Sequence, residues 1–362
     1  MHSQGYYIRK KLFRNKLTLF GFAIIGLFAL VAIPGYLITP DSTPMANQMH
    51  LSIASKKPGF TVKVIQLKKD PAPVKVGFFN RLAVGQESTY EYVALTNAEI
   101  VGNEILVTGY TDEEDTTVLQ STYPLSRIEG DLPDNIYSKT FWLGTDRYGR
   151  DMLSRMIIGA RISLMVGFIS VIISLLIGVT LGLLAGYYKG KVDSVIMWLI
   201  NVVWSLPTLL LVIAFTFALG KGFWQIFVAV GLSMWVEVAR IVRGQVFSVR
   251  EKEYIQAAKV LGFSDVRIIF KHILPNVTAP IIVISTANFA SAILLEAGLS
   301  FLGLGVQPPM PSWGMMIKEH YGNIVLDSAF LAIVPGVAIM LLVMAFNFVG
   351  NGLRDALDVN LK

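Results

Sequence analysis

EYIQAAKVLGFSDVRIIFKHILPN, Glu253 to Asn276, lies between two long apolar runs yet is itself polar, basic and periodic. Tyr254, Ala257, Ala258 and Leu261 fall at i, i+3, i+4 and i+7, the spacing of one helix face. Gly262 stands where a helix takes a left-handed residue just past its end. Ser264 or Asp265 is placed to cap a second helix. Val266, Ile269, Phe270 and Ile273 repeat the spacing, and Pro275 is expected to stop that second helix. The stretch predicts a helix–turn–helix, too short and too polar to cross a bilayer.

The flanking chain explains why it must lie at a surface. Of 362 residues, 54% are hydrophobic and 15% charged, with a mean hydropathy of +0.58. Soluble domains carry about 25% charge, whereas several runs here reach the ~20 uncharged residues that cross a bilayer. The expected class is an all-α polytopic membrane protein. There is no cysteine, which excludes disulfides and thiol chemistry. His2, His50, His272 and His320 are scattered without metal-ligand spacing. The net charge of +6 is read as membrane orientation and not as affinity for nucleic acid.

Six spans are expected, at about Leu17–Ile38, Ile162–Gly186, Val195–Leu219, Phe223–Val242, Val277–Leu295 and Phe330–Val349. The first, preceded by Arg9, Lys10, Lys11, Arg14 and Lys16, is too long for a signal peptide and reads as an uncleaved anchor. Lys189 and Lys191 after span two, and Arg240 to Lys271 after span four, carry the basic excess of cytoplasmic loops, against Lys221 alone after span three. That asymmetry puts both termini in the cytoplasm. Gly182, Gly186 and Gly190 form a GxxxGxxxG pattern that suits close helix approach. Pro207 is expected to kink span three. Trp198, Trp224 and Trp235 are expected near span ends, as an aromatic belt.

Between the first two spans the character changes. TVKVIQL, VKVGFF, TYEYVAL, NEILVTGY and TVLQSTY are short, β-branched or aromatic pieces separated by turn signals such as PGF, PAP and TDEED. The expected organisation is 1–38 as N-terminus and first span, 39–140 as a β-rich extracytoplasmic insertion, and 141–362 as a core of five spans. That core includes a cytoplasmic loop at 250–276.

Three roles fit the opening segment: an amphipathic element resting on lipid, a structural loop under the bundle, or a knob presented to a soluble partner. Ala257 and Ala258 favour the knob, since a lipid face would carry Leu or Phe there.

The pattern A-A-x-x-x-G followed by L-P, at Ala257, Ala258, Gly262, Leu274 and Pro275, resembles the signature EAA loop of ABC importer permeases. Gln256 stands where the loop's leading acid is found, and Glu253 is the nearest carboxylate. The whole stretch is most similar to the dipeptide/oligopeptide/nickel permeases. FRNKLTLFGFAII (13–25), FWLGTDRYGRDMLSRMIIGARISL (141–164) and EAGLSFLGLGVQPPMPSWGMMI (296–317) resemble the same family's C-type subunit, in the same order.

The resemblance implies six transmembrane helices of the type I importer fold, in a bacterial cytoplasmic (inner) membrane, and transport of di- or oligopeptides. Nickel or another small solute is also within the family's range. It further implies a second homologous permease, two ABC ATPase subunits and an extracytoplasmic solute-binding protein as partners. The coupling helix, including Glu253, Tyr254, Gln256, Ala257, Ala258, Leu261 and Gly262, docks on the ATPase. A bulky or charged residue at Ala258 is expected to break coupling without harming insertion.

No enzymatic role is expected. G-x-x-x-x-G-K-[ST] is absent, and GYYKGKVD lacks both its spacing and its hydroxyl. ATP and Mg²⁺ therefore belong to a partner, and no cofactor is expected in this chain. Asn201, Ser205, Asn288 and Ser291 are polar residues within spans, read either as interhelical hydrogen-bonding groups or as lining of a translocation path. LGTDRYGRD (143–151) reads either as a salt-bridged turn or as an outer gate or docking point. An ATP-independent transporter would place ionisable groups at midplane, and the spans read as almost free of them. A membrane receptor would not need five further spans.

Overall fold

The computed structural model describes residues 4–111, 119–220, 222–325 and 328–357. Most of the TDEED turn signal and Lys221 lie outside the described residues. The main helices are α1 (Lys16–Ala32), α2 (Met152–Tyr188), α3 (Gly190–Trp204), α4 (Thr208–Leu219) and α5 (Phe223–Arg250). They continue with α6 (Glu253–Val260), α7 (Asp265–Phe301), α8 (Trp313–His320) and α9 (Phe330–Leu357). Among the described residues, α2, α5, α7 and α9 are each long and apolar enough to cross a membrane. The chain is thus a mostly helical membrane protein.

Three prolines shape these helices, each differently. Pro34 ends the first apolar run early: α1 closes at Ala32 and only a four-residue turn, Gly35–Ile38, comes after it. Pro207 does more than kink its run. α3 and α4 meet at 94°, and Pro207 is extended (φ −57°, ψ 127°) at the cap of α4, where its missing N–H costs nothing. Pro275, expected as a stop, is not one. Leu274 N–H donates to Ile269 O in a π-helical turn at Ile269–Ile273; this widened turn accommodates the ring, and α7 runs on.

The chain divides into two compact units. The first takes residues up to 29, 163–307 and those from 336 onward. Its seam is a ladder between α2 and α5. A Cβ built on Gly178, Gly182 or Gly186 would stand 2.6, 2.7 or 2.6 Å from the Cβ of Val238, Val242 or Val246 respectively. Valine on one helix therefore seats against backbone on the other, and dispersion forces hold the ladder; further along the same pair Ser170 Oγ donates to Phe227 O at 3.0 Å. The ladder sits one step earlier than the sequence pattern suggests. Gly190 makes no such approach; it opens α3 with φ +55°. Trp235 lies in mid-helix and is buried beside Ile196, Ile200 and Ala239, not at an aromatic girdle, whereas Trp198 and Trp224 are exposed.

The second unit takes 30–162 and 308–335. It contains a five-stranded antiparallel sheet in the order β4-β3-β2-β1-β5. The strands are β1 (Phe60–Lys68), β2 (Tyr90–Val101), β3 (Glu104–Gly109), β4 (Gln120–Pro124) and β5 (Ile136–Phe141). Alternation along β1 sends Val62 and Val64 to one small core with Ile53, Ala94 and Phe141. Ile65 and Leu67 go to a second core with Leu95, Ile105 and Val107. VKVGFF is not a strand: after Pro71 and Pro73 it leads into a short helix, Phe78–Val84, with Val74 and Phe79 exposed. β5 replaces it in the sheet.

Candidate functional site

The opening segment folds as two helical pieces, and its geometry separates the residues that anchor it from those it presents. In α6, Ile255 is fully buried and Ala258 is 4% exposed, packed with Val242, Val246, Ile268 and Ile273. Tyr254, Gln256, Ala257 and Leu261 face outward, Leu261 at 73%. The stripe expected to meet a partner is thus split. Ala258 turns inward because Ile255 and Ala258, at i and i+3, are the side that fills the end of the α2–α5 seam. An arginine at Ala258 would strain the core, so the outward test position is Ala257.

Gly262, with φ +77°, closes α6 in a Schellman arrangement. Gly262 N–H donates to Lys259 O at 3.0 Å and Phe263 N–H to Ala258 O at 3.1 Å. Tyr187 Oη donates to Asp265 Oδ1 at 2.5 Å, and Lys189 Nζ meets Glu251 Oε1 at 2.6 Å. Arg243 makes a two-pronged pair with Asp193. Lys259 Nζ lies 5.1 Å from the Tyr187 ring centroid, and partial desolvation, with Arg250 nearby, lowers its pKa. α6 is therefore held by the packing of Ile255 and Ala258 and by Lys259 on the Tyr187 ring, among neighbours that are tied to one another, with one face left open. Leu274 is half-buried and Pro275 exposed at the start of the next helical stretch; neither belongs to the open face of α6.

A second feature lies at the α3–α4 break. A cavity of about 290 Å³ is lined there by Trp204, Thr208, Ser233, Glu237, Ser291 and Leu295, among others. Of the four expected path residues, Ser291 lines it. Asn201 and Ser205 sit on the exposed last turns of α3. Asn201 Oδ1 accepts from Arg240 at 3.3 Å, and Ser205 Oγ donates to Val202 O at 2.7 Å. Asn288 is buried and is not among the residues that line the cavity. Glu237 was missed. Its signal was a carboxylate inside the apolar run FWQIFVAVGLSMWVEV, which the extension of α5 to Arg250 puts at mid-helix.

LGTDRYGRD is a buried salt-bridged knot. Arg150 Nε is 2.6 Å from Asp146 Oδ2, and its Nη2 is 3.1 Å from Glu319 Oε2. Arg155 approaches the same two oxygens at 3.5 and 3.6 Å. Arg150 also donates to Asn47 at 3.1 Å, and Ser154 Oγ accepts from Asp41 N–H at 2.9 Å. Gly149 has φ +72°, and a Cβ there would stand 1.8 Å from His50 O. The ligand atoms of Asp146, Glu319 and His320 lie within 4.8 Å of one another. Two guanidinium groups already neutralise both carboxylates, so this donor set does not suit a divalent cation.

Residues 178–362 match the family described as binding-protein-dependent transport system inner membrane component. Residues 3–58 match the N-terminal TM domain of oligopeptide transport permease C. A dipeptide transport system permease protein of Alkalihalophilus pseudofirmus is 40% identical over 270 residues, 75% of this chain and 86% of that protein. A glutathione transport system permease protein of Pectobacterium atrosepticum is 45% identical over 225 residues, covering 62% and 74%. A solved inward-facing MetNI methionine ABC transporter overlays on 57% of this chain and 97% of its own, with TM-score 0.49 and 19% identity. With one family match spanning more than half of its length, the chain belongs to the binding-protein-dependent transport system inner membrane components.

Proposed function

We propose that the chain is a permease subunit of an ATP-driven importer of di- or oligopeptides. The observation that carries this reading is α6: Ile255 and Ala258 fix it to the bundle while Tyr254, Ala257 and Leu261 stay open to a partner. A helix held in this way passes force between a docked subunit and the transmembrane helices. Relatives named as dipeptide and oligopeptide permeases support the cargo class.

In this reading the partners are a second permease, two ATPase subunits that hold ATP and Mg²⁺, and an extracytoplasmic binding protein. The chain sits in the cytoplasmic membrane with both termini inside. α1 and the bent α3–α4 pair complete six spans with the four long helices. The sheet of β1–β5 then lies outside, on the binding protein's side. The test is to purify the complex from native membranes in mild detergent. The parent retains a P-loop ATPase and Ala257→Arg loses it. If an intact, monodisperse parent brings no ATPase with it, the reading is wrong.

A further inference from the structure

We propose that Glu237 receives the protonated amino terminus of the peptide as it passes the α3–α4 break. This rests on the peptide-permease reading and names the residue that confers selectivity within it. Glu237 lies within the apolar run of α5, one turn before Arg240, and a carboxylate there calls for a partner. Glu237 is exposed to the cavity, and no hydrogen bond or ion pair reaches it among the described residues. Its natural rival, Arg240, is engaged elsewhere: its guanidinium lies 3.4 Å from the Trp204 ring centroid and donates to Asn201.

The cavity suits a small polar solute. Its volume of about 290 Å³ falls just under the range of small-molecule sites, roughly 300–1,000 Å³. Thr208, Ser233 and Ser291 offer hydroxyls, and Trp204 and Leu295 offer apolar surface. At the break the C-terminus of α3 and the N-terminus of α4 oppose each other, so their dipoles largely cancel. Glu237 is the one ionisable residue of the lining, and with Arg240 held on the Trp204 ring its carboxylate is open to an ammonium group.

The experiment uses the whole transporter, with its partner permease, ATPases and binding protein, in liposomes. ATP-driven uptake of a dipeptide with a free amino group is compared with that of its des-amino analogue, for the parent, Glu237→Gln and Glu237→Asp. The binding protein's own preference is common to all three, so the change in the uptake ratio isolates Glu237. The preference for the free amine is expected to fall about tenfold in Glu237→Gln and to recover largely in Glu237→Asp, with each variant co-eluting with its partners. An unchanged ratio in an assembled complex overturns the proposal and leaves the peptide reading standing. Loss of co-elution in Glu237→Gln overturns it as well, because the carboxylate then serves subunit pairing. A parent that takes up neither compound overturns the peptide reading and this proposal with it.

Discussion

Tyr187 Oη stands 2.5 Å from Asp265 Oδ1, which ties the last turn of α2 to the first turn of α7. The same ring lies under Lys259 of α6. One side chain thus joins three helices where α6 is braced. Tyr187→Phe removes only the hydroxyl, and exposed Asp265 regains water, so the expected loss is about 1 kcal/mol. Thermal unfolding in detergent measures it. A midpoint equal to the parent's would show that the bond contributes nothing.

Ala257 and Ala258 are neighbours in sequence and opposites in structure. Ala257→Arg is expected to leave the unfolding midpoint unchanged while abolishing ATPase retention. Ala258→Arg, forced against Val242 and Val246, is expected to lower the midpoint markedly, because it buries an unpaired charge. Equal midpoints for the two variants would contradict the inward placement of Ala258.

The glycine–valine ladder makes a sharp distinction among glycines. Gly182→Leu must push Val242 away and is expected to destabilise by at least ~1–3 kcal/mol. Gly244→Ala, in the same bundle with nothing within 4 Å of the new Cβ, is expected to be neutral or to stabilise by up to ~1 kcal/mol. Size-exclusion profiles and unfolding midpoints of both settle it; a well-folded Gly182→Leu would mean that α2 and α5 separate freely.

These contrasts show what the sequence could and could not specify. The break at Gly262 was legible because a left-handed residue after a periodic run has few alternatives. The long apolar helices were legible from length alone. Which side of α6 faces inward was not, since periodicity defines a stripe but not the neighbour that covers it, and Ile255 was outside the stripe chosen. Pro275 misled for a related reason: a π-turn upstream absorbs a proline that local rules read as a stop. Glu237 was present in the sequence but hidden by averaging, because one charge scarcely lowers the hydropathy of a long run.

The buried knot predicts an uneven response to mutation. Glu319 is 6% exposed, and removing it leaves Asp146 as the ion-pair partner of both Arg150 and Arg155 among the described residues. Glu319→Ala is expected to cost about 3–5 kcal/mol, since an uncompensated buried charge remains. Replacing Asp146, Arg150, Arg155 and Glu319 together with apolar residues of similar volume should recover much of that. Denaturation of the two variants side by side tests this; a Glu319→Ala chain within about 1 kcal/mol of the parent would show the cluster to be hydrated.

Acid should weaken the same region. Burial, the largest cause, pushes the His320 imidazole from 6.5 down to about 4; Asp146 opposes this, while Arg147, Arg155 and Arg150 reinforce it. A histidine held neutral in the folded state contributes stability above its unfolded value that is lost as pH falls from about 6.5 towards 4, on the order of 3 kcal/mol. His320→Gln is expected to flatten the fall in unfolding midpoint across that window. Identical slopes for the two proteins would exclude His320 as the cause.

The pairing of Arg150 with Glu319 joins residues 169 positions apart. At synthesis rates of about 5–20 residues per second, Arg150 and Arg155 leave the ribosome on the order of 10–30 s before their second counter-ion exists. Until then Asp146, with Asp41 acting on Arg155 from further off, balances two guanidinium groups. The finished arrangement of this region therefore waits on the late arrival of the Glu319 carboxylate, which both guanidinium groups face.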